Sequence, residues 1–303
     1  MKALFINHCH PDTPHVCAIR MKSFAQAMAD KGHQILLLTE SVDCEKSEEN
    51  SETISQSLMN HNWSRPFVLS IAPEFDSFIT RLRQRKLVFG IRQLVILLCY
   101  LNHSGVFCDW SKGAFKYRDL LKNYFRPQVI WATFGNSDCW KIAQYMSYQM
   151  GIPWVADIKD NWEAFIPRGM STMIANRFND MAALTAFSLS HKDQVKRIFN
   201  RNAEVIYSGF SDILVDGNYS VSVKRIMVTG SLYDLKKFQI LVFGILLWIK
   251  KRSFNPKEIE FRYAGKDLEI FDKVSRSLKG YCAIIVDNYL EIEELRRLQA
   301  GAW

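Results

Sequence analysis

Short apolar runs alternate along this chain with longer stretches in which apolar residues recur at helical spacing. That alternation predicts a parallel sheet covered by helices. The first unit is the clearest. Residues 3–7 read as a buried strand and residues 8–15 as a polar loop. Ile19, Phe24, Ala27 and Met28 then recur at helical spacing as far as Lys31 and Gly32, a lysine in the last turn followed by a stopping glycine. Residues 35–38 form the next strand. In such a βαβ unit the loop after the first strand lies at the carboxyl edge of the sheet, where ligands bind.

The polar segment 41–64, with Glu45, Glu48, Glu49 and Glu52, reads as a mobile surface insertion. Residues 75–101 read as one long helix or a pair. Strands follow at 127–133, 153–157, 184–188 and 203–207, with a helix over 137–150 closed by Gly151 and another between the last two strands. A linker rich in Gly, Ser and Asp spans 208–222. A second unit then gives a strand at 225–229, the turn Gly230-Ser231-Leu232-Tyr233, a helix at 236–251, a strand at 258–264, a helix at 267–278, a strand at 283–286 and a helix at 291–299. The expected fold is therefore α/β, with one Rossmann-like domain over 1–210 and a second over 223–303. An ordinary domain of this kind needs roughly 150 residues, so the second is expected to be incomplete.

Composition narrows the partners. The 303 residues are 48% hydrophobic and 23% charged, which suits two globular domains. The net charge of +8 favours anionic partners such as nucleotide diphosphates, lipid phosphates or acidic glycans. No zinc finger, RRM or helix-turn-helix signature is present, so nucleic acid is not expected. Seven scattered cysteines without a Cys-x-x-Cys pair fit free thiols in a reducing cytoplasm. The start of the chain lacks the apolar run of a signal peptide, and no uncharged stretch is long enough for a membrane span.

Four stretches carry a family resemblance: KALFINHCHPDTPHVCAIRMKSFAQAMADKGHQILLLT, RPQVIWATFGNSDCWKIAQYMSYQMGIPWVADIKDNW with its Asp-x-x-Asp-x-Trp ending, AEVIYSGFSD, and IMVTGSLYDLKK. In this order they resemble bacterial glycosyltransferases of the GT-B fold, in particular the retaining family 4 enzymes that build surface polysaccharides, including lipopolysaccharide. The resemblance implies two Rossmann-like domains facing a cleft. It implies an acceptor bound mainly by the first and a nucleotide sugar bound mainly by the second. It requires no metal and no cofactor, the nucleotide sugar being a substrate. The leaving nucleoside diphosphate needs cations or backbone N–H groups to take its charge.

On the donor side the family pattern is Gly, Arg, a hydrophobic residue, three variable residues, then Lys. Gly230 and Lys236 match, and Ser231 stands where the arginine would be, which removes a bidentate phosphate fork. Lys236 reads either as the phosphate cation or as a solvated lysine at a helix start. Gly230 reads as a turn glycine allowing close backbone approach. On the acceptor side the candidates are His8, His10 and Asp12 in the first loop and Asp157 and Asp160 after a later strand. His15-Val16-Cys17 occupies the place of the family's glycine pair. Three histidines and two cysteines here also raise a metal site, but their spacing matches no zinc pattern, and none is assigned. Asp160 could instead cap a helix. No catalytic base is named.

The basic segment 81–86 leads into an apolar run, so residues 81–98 suggest docking on an anionic membrane surface; a core helix with a solvated basic turn is the alternative. The apolar run 238–249 reads as a helix buried against the second sheet. The chain is thus expected to be a cytoplasmic transferase, peripheral on the inner face of the cytoplasmic membrane, acting on a glycan or lipid-linked acceptor. The family's late acidic motif, two glutamates about seven residues apart, would follow the last residue, which makes a weak or inactive chain the expectation. An inactive or regulatory fragment that binds ligand without turnover is one alternative, and a sugar-nucleotide epimerase another. A nicotinamide dehydrogenase is not expected, because no Gly-x-Gly-x-x-Gly follows either first strand.

Overall fold

In the computed structural model the described residues are 1–13, 15–42, 50–74, 77–84, 86–209, 223–232, 234–288 and 290–302. The chain divides into two compact units, Met1–Phe210 and Ser211–Trp303.

The first unit runs β1 (Lys2–Ile6), α1 (Val16–Asp30), β2 (Gln34–Glu40), α2 (Ser51–Met59), β3 (Phe67–Ile71), α3 (Ser77–Arg83), α4 (Phe89–His103), α5 (Cys108–Phe115) and α6 (Arg118–Leu120). A π-helical turn, Leu121–Phe125, leads into β4 (Val129–Phe134), α7 (Ser137–Met150), β5 (Trp154–Ile158), α8 (Trp162–Phe165), α9 (Ser171–Asn176), β6 (Ala183–Ala186), α10 (Leu189–Phe199) and β7 (Glu204–Val205). All seven strands are parallel, in the order β3-β2-β1-β4-β5-β6-β7. The order reverses between β1 and β4, which opens a crevice at their carboxyl ends. Strand β1 is buried on both faces: Leu4 and Ile6 join the main core, while Ala3 and Phe5 pack with Met21, Leu37 and Trp131 on the other side.

The main core is built around aromatic rings. Trp140 stacks on Trp162 at 5.4 Å between ring centroids and meets Phe178 and Phe199 edge-on. Trp162, the last residue of the Asp-x-x-Asp-x-Trp stretch, is fully buried and donates its indole N–H to Ser171. It is a packing residue.

One expectation changes. The segment 41–64 is not a simple insertion: α2 lies within it, capped by Asn50, and buries Ile54 and Leu58 in the main core. Residues 43–49, which hold Glu45, Glu48 and Glu49, lie outside the described residues, as do 210–222 of the expected linker. Edge strand β3 escapes the sequence reading because its five residues are flanked by prolines and polar positions. Residues 77–103 form a pair of helices. α4 ends where Ser104 turns left-handed, with φ 65°.

The stretch Phe89–Phe115 has the length and a mean hydropathy of 1.3 that suit a membrane span. It is nonetheless interrupted at Ser104, and its second half buries Cys108, Trp110 and Ala114 in the domain. α4 itself is only about 22 Å long at 1.5 Å per residue, short of the ~30 Å hydrocarbon core. Its buried side is Val95, Cys99 and Tyr100; Phe89, Ile91, Leu94, Leu97, Leu98 and Leu101 face outward.

The second unit runs β8 (Lys224–Thr229), α11 (Leu235–Arg252), β9 (Ile259–Ala264), α12 (Leu268–Ser275), β10 (Ala283–Asp287) and α13 (Ile292–Ala300). Its three strands are parallel, in the order β10-β9-β8. Phe238, Val242, Ile245 and Ile249 of α11 pack with Phe261, Tyr263 and Phe271, while Ile240, Leu241, Phe243 and Leu247 of the same helix are exposed. The helix over 238–249 is therefore only half covered. Arg225, Glu260, Arg262 and Asp287 form a ladder of ion pairs across the three strands.

Candidate functional site

The carboxyl edge of the large sheet collects the polar side chains. Asn7, directly after β1, is fully buried, and its Nδ2 donates to the carbonyls of Cys9 at 3.0 Å and Cys17 at 3.3 Å. One amide thus ties both ends of the first loop to the sheet. His15 caps α1, its Nδ1 accepting from the Cys17 N–H at 3.2 Å. In consequence His8, Cys9, His15 and Cys17 come together. The His8 Nε2 lies 3.2 Å and the His15 Nδ1 3.8 Å from the Cys9 sulfur.

Lys159, just past β5, reaches the same place. Its side chain is buried, its Nζ donates to the Cys17 sulfur, and it pairs with Asp160 at 3.0 Å. Gly135, just past β4, makes room: a Cβ there would sit 2.8 Å from the His8 ring and 3.1 Å from the Lys159 Nζ. Burial, with the Lys159 charge behind it, pushes the His8 imidazole down to about 4. Burial would lower Lys159 too, but the Cys17 sulfur and the Asp160 carboxylate outweigh it and raise the ammonium. Cys17 is pushed down to about 3 by its contact with Cys9 and then by His15 and Lys159, while Cys9 is raised by Cys17 and by burial. Cys17 is thus the thiolate of the pair and Lys159 its counter-ion.

Below this cluster Arg20 of α1 meets Asp157 of β5 through Nη1–Oδ2 at 2.5 Å and Nη2–Oδ1 at 3.1 Å, both residues buried. The hydroxyls of Thr133 and Thr185 donate to the same carboxylate at 2.9 and 2.7 Å. All four contacts of Asp157 are internal, so it holds α1 against the strands. On the other flank Arg83 pairs with Glu40 at 2.5 Å and Asp109 at 3.0 Å, with its guanidinium 4.4 Å from the centre of the Phe107 ring. The basic segment 81–86 therefore turns one of its arginines inward.

Of the acceptor-side candidates, His8 and Asp160 stand at the crevice and Asp157 lies beneath it. His10 and Asp12 lie apart: the Asp12 N–H donates to the His10 Nδ1, and the exposed Asp12 carboxylate pairs with Lys22 at 3.2 Å. The helix cap after β5 is Asn161, whose side chain accepts from the Glu163 N–H, so Asp160 is not the cap. Sequence reading passed over Arg20, Lys159 and His191. Arg20 sits one turn from Cys17 and beside Met21 on the buried stripe of α1, and a basic residue on such a stripe is the signal that marks it. His191, near the start of α10, shares a hydrogen bond with Ser188 at 2.7 Å and is lowered by burial, with the nearby Asp160 charge acting against it.

In the second unit the turn after β8 is fixed by its backbone. Gly230, at φ 90°, donates to the Ala264 carbonyl and accepts from the Tyr263 hydroxyl at 2.6 Å. The Leu232 N–H donates to Asp267 at 2.8 Å. Gly265 passes so close to the Gly230 carbonyl that no Cβ fits between them. Asp234 caps α11, and the Lys237 N–H it accepts holds its carboxyl below the usual range. Lys236 is exposed in the first turn of α11, with no ion-pair partner among the described residues, and Ser231 is half-buried.

No protein-family model matches this chain, and no curated protein matches it in sequence. Solved structures match its fold over its whole length. HepE from Anabaena, in complex with UDP and glucose, aligns with 100% of this chain and 72% of its own at 13% identity and a TM-score of 0.60. A glycosyltransferase from Rickettsia africae aligns with 99% of this chain and 71% of its own at 10% identity and a TM-score of 0.55. The E. coli trehalose-6-phosphate structure bound with UDP-2-fluoro glucose aligns with 100% and 77% at 10% identity and a TM-score of 0.57. The chain has the α/β, Rossmann-like construction of GT-B glycosyltransferase structures.

Proposed function

We propose that this chain is a glycosyltransferase of the retaining, family 4 type, which takes a nucleotide sugar at the 230–236 turn and passes the sugar to a glycan or lipid-linked acceptor in surface polysaccharide synthesis. The observation that carries this reading is the match of the whole chain to structures whose own bound molecules are UDP and UDP sugars. In the transfer the bond from the sugar C1 to the diphosphate oxygen breaks and a bond from C1 to the acceptor hydroxyl oxygen forms. The hydroxyl proton passes to the departing diphosphate oxygen, so no base from the protein is needed. Lys236 supplies the positive charge the departing diphosphate needs. Gly230 and Ser231 border it, with a backbone already held in place by Tyr263 and Asp267. The acceptor lies over the carboxyl edge of the large sheet, bordered by His8 and Asp160. No cofactor enters this scheme.

Thermal melting with UDP, GDP, ADP, CMP and their sugar conjugates tests the donor site. Binding raises the melting point by mass action, by roughly 2.7 kcal/mol at ~100 times the dissociation constant. The expected result is a shift with one nucleotide that the Lys236→Ala chain loses; no shift with any of them sinks the reading.

A second reading, ligand binding without turnover, is favoured by one observation. The Asp234 carboxylate occupies the start of α11, where a diphosphate would otherwise find free N–H groups, and Ser231 offers no guanidinium in compensation. Release of nucleoside diphosphate from the bound donor in the presence of acceptor decides between the two.

The outward face of α4, with Arg81 and Lys86 exposed beside it, suits shallow docking on an anionic membrane from the cytoplasmic side. Cosedimentation with vesicles containing phosphatidylglycerol, absent with phosphatidylcholine alone and lost in Leu94→Asp, is the expected outcome. Equal sedimentation of wild type and variant overturns it.

A further inference from the structure

The sulfurs and imidazoles of the first loop are arranged as a soft-metal site. The ligand atoms of Cys9, His15 and Cys17 all lie within 4.8 Å of one another. A tetrahedral zinc ion, about 2.3 Å from sulfur and 2.0–2.1 Å from nitrogen, sets its ligand atoms roughly 3.5–3.8 Å apart. The Cys9 sulfur is 3.8 Å from the His15 Nδ1 and 3.2 Å from the Nε2 of His8. The Cys9–His15 pair is therefore already at the required spacing, and the whole set needs to close by no more than about 1 Å. They are also preorganised, because the Asn7 amide fixes the carbonyls of Cys9 and Cys17.

We infer that Cys9, His15 and Cys17 bind one zinc ion. The choice of metal follows from donor chemistry. Two thiolates and an imidazole select a thiophilic ion and disfavour magnesium or calcium, which want oxygen. Charge also balances: two thiolates neutralise the divalent ion, and Lys159 is neutralised by Asp160. The Lys159 N–H already donates to the Cys17 sulfur, which is the outer contact a metal-bound thiolate accepts. The ion would displace one weak contact, the cap hydrogen bond from Cys17 N–H to His15 Nδ1. The order Cys-x5-His-x-Cys matches no familiar zinc spacing because the first cysteine stands in the loop after β1 and the last in the first turn of a helix. The fold, more than the spacing, brings them together. The inference is independent of the transferase reading and concerns the acceptor-side edge only.

The test uses the whole purified chain, stripped with a chelator, reloaded with zinc and passed through gel filtration. The expected result is one zinc per chain by elemental analysis. Cobalt in its place should give a tetrahedral spectrum with a thiolate-to-cobalt charge-transfer band. Zinc should also protect Cys9 and Cys17 from iodoacetamide, read by peptide mass. Cys9→Ser, Cys17→Ser and His15→Ala should each weaken zinc binding at least roughly tenfold, while Cys282→Ser, in the other unit, should not. His15 and Cys9 are the more accessible positions, so their variants carry the test should Cys17→Ser fail to fold, as judged by circular dichroism. Loss of zinc on gel filtration, a cobalt spectrum without the charge-transfer band, or undiminished zinc in the folded Cys9→Ser and His15→Ala chains overturns the inference and leaves a simple thiolate–ammonium pair.

Discussion

The two turns that follow β1 and β8 occupy the same place in their respective units, between a first strand and a first helix, yet they are built differently. After β1 the order comes from side chains: Asn7 clamps the loop, and Arg20, Asp157, Thr133 and Thr185 lock the ground beneath it. After β8 the order comes from backbone: Gly230 and Gly265 nearly touch, Tyr263 and Asp267 hold the turn, and the one cation of interest, Lys236, stands outside. The first turn has its charges matched internally and so depends on them for stability. The second leaves Lys236 exposed, without an ion-pair partner among the described residues.

Breaking the first arrangement should have the largest effect. Arg20→Met strands the Asp157 carboxylate in a buried site, which costs about 3–5 kcal/mol; chemical denaturation should show it as a lower midpoint at unchanged slope. A second lever on that edge is Asp138, buried in the first turn of α7 and pushed up to about 7 by burial, against the Phe107 N–H that its Oδ2 accepts. The native state holds this proton more tightly than the unfolded chain. Its contribution to stability is therefore present at about pH 4 and below, and is lost as the pH rises to about 7. Asp138→Asn keeps the acceptor oxygen and removes the titration. It should be more stable than wild type at pH 8, by up to about 4 kcal/mol, and lose that advantage by about pH 4.

In the second turn the sensitive element is the backbone. Gly265→Ala drives a methyl into the Gly230 carbonyl and should cost roughly 1–3 kcal/mol, read as earlier melting of the second unit and weaker nucleotide binding together. Lys236→Ala sharpens the contrast from the other side. It should change stability by no more than about 0.5 kcal/mol while removing the nucleotide-dependent shift. Equal destabilisation by Lys236→Ala and Arg20→Met would erase the distinction between the two turns.

The sheet-and-helix plan was legible because its strands are apolar runs with little alternation and its helices end in clear signals, as at Gly151, where φ is 67°. Strand β3 was not, because its five residues are flanked by Pro66 and Pro73, and helix α2 was not, because its apolar residues are few among serines and polar positions. At the site, the loop was readable as polar, but which of its residues turn inward was not. His8 faces Gly135 and Lys159, His10 faces Asp12, and nothing in the local sequence separates them. Asp157 was readable as a strand-end carboxylate. Its partner Arg20 lies 137 residues away and appears only when α1 is laid against β5.

The Asn7 clamp has a consequence for how this chain can vary. Because one side chain fixes the backbone at positions 9 and 17, the segment between them is a closed loop whose ends do not depend on its length. Doubling such a loop costs only about 0.6 kcal/mol. Peptide can be spliced in after His10 without moving the two sulfurs, so this is where a tag, a reporter or a different loop can be grafted at least expense to the fold.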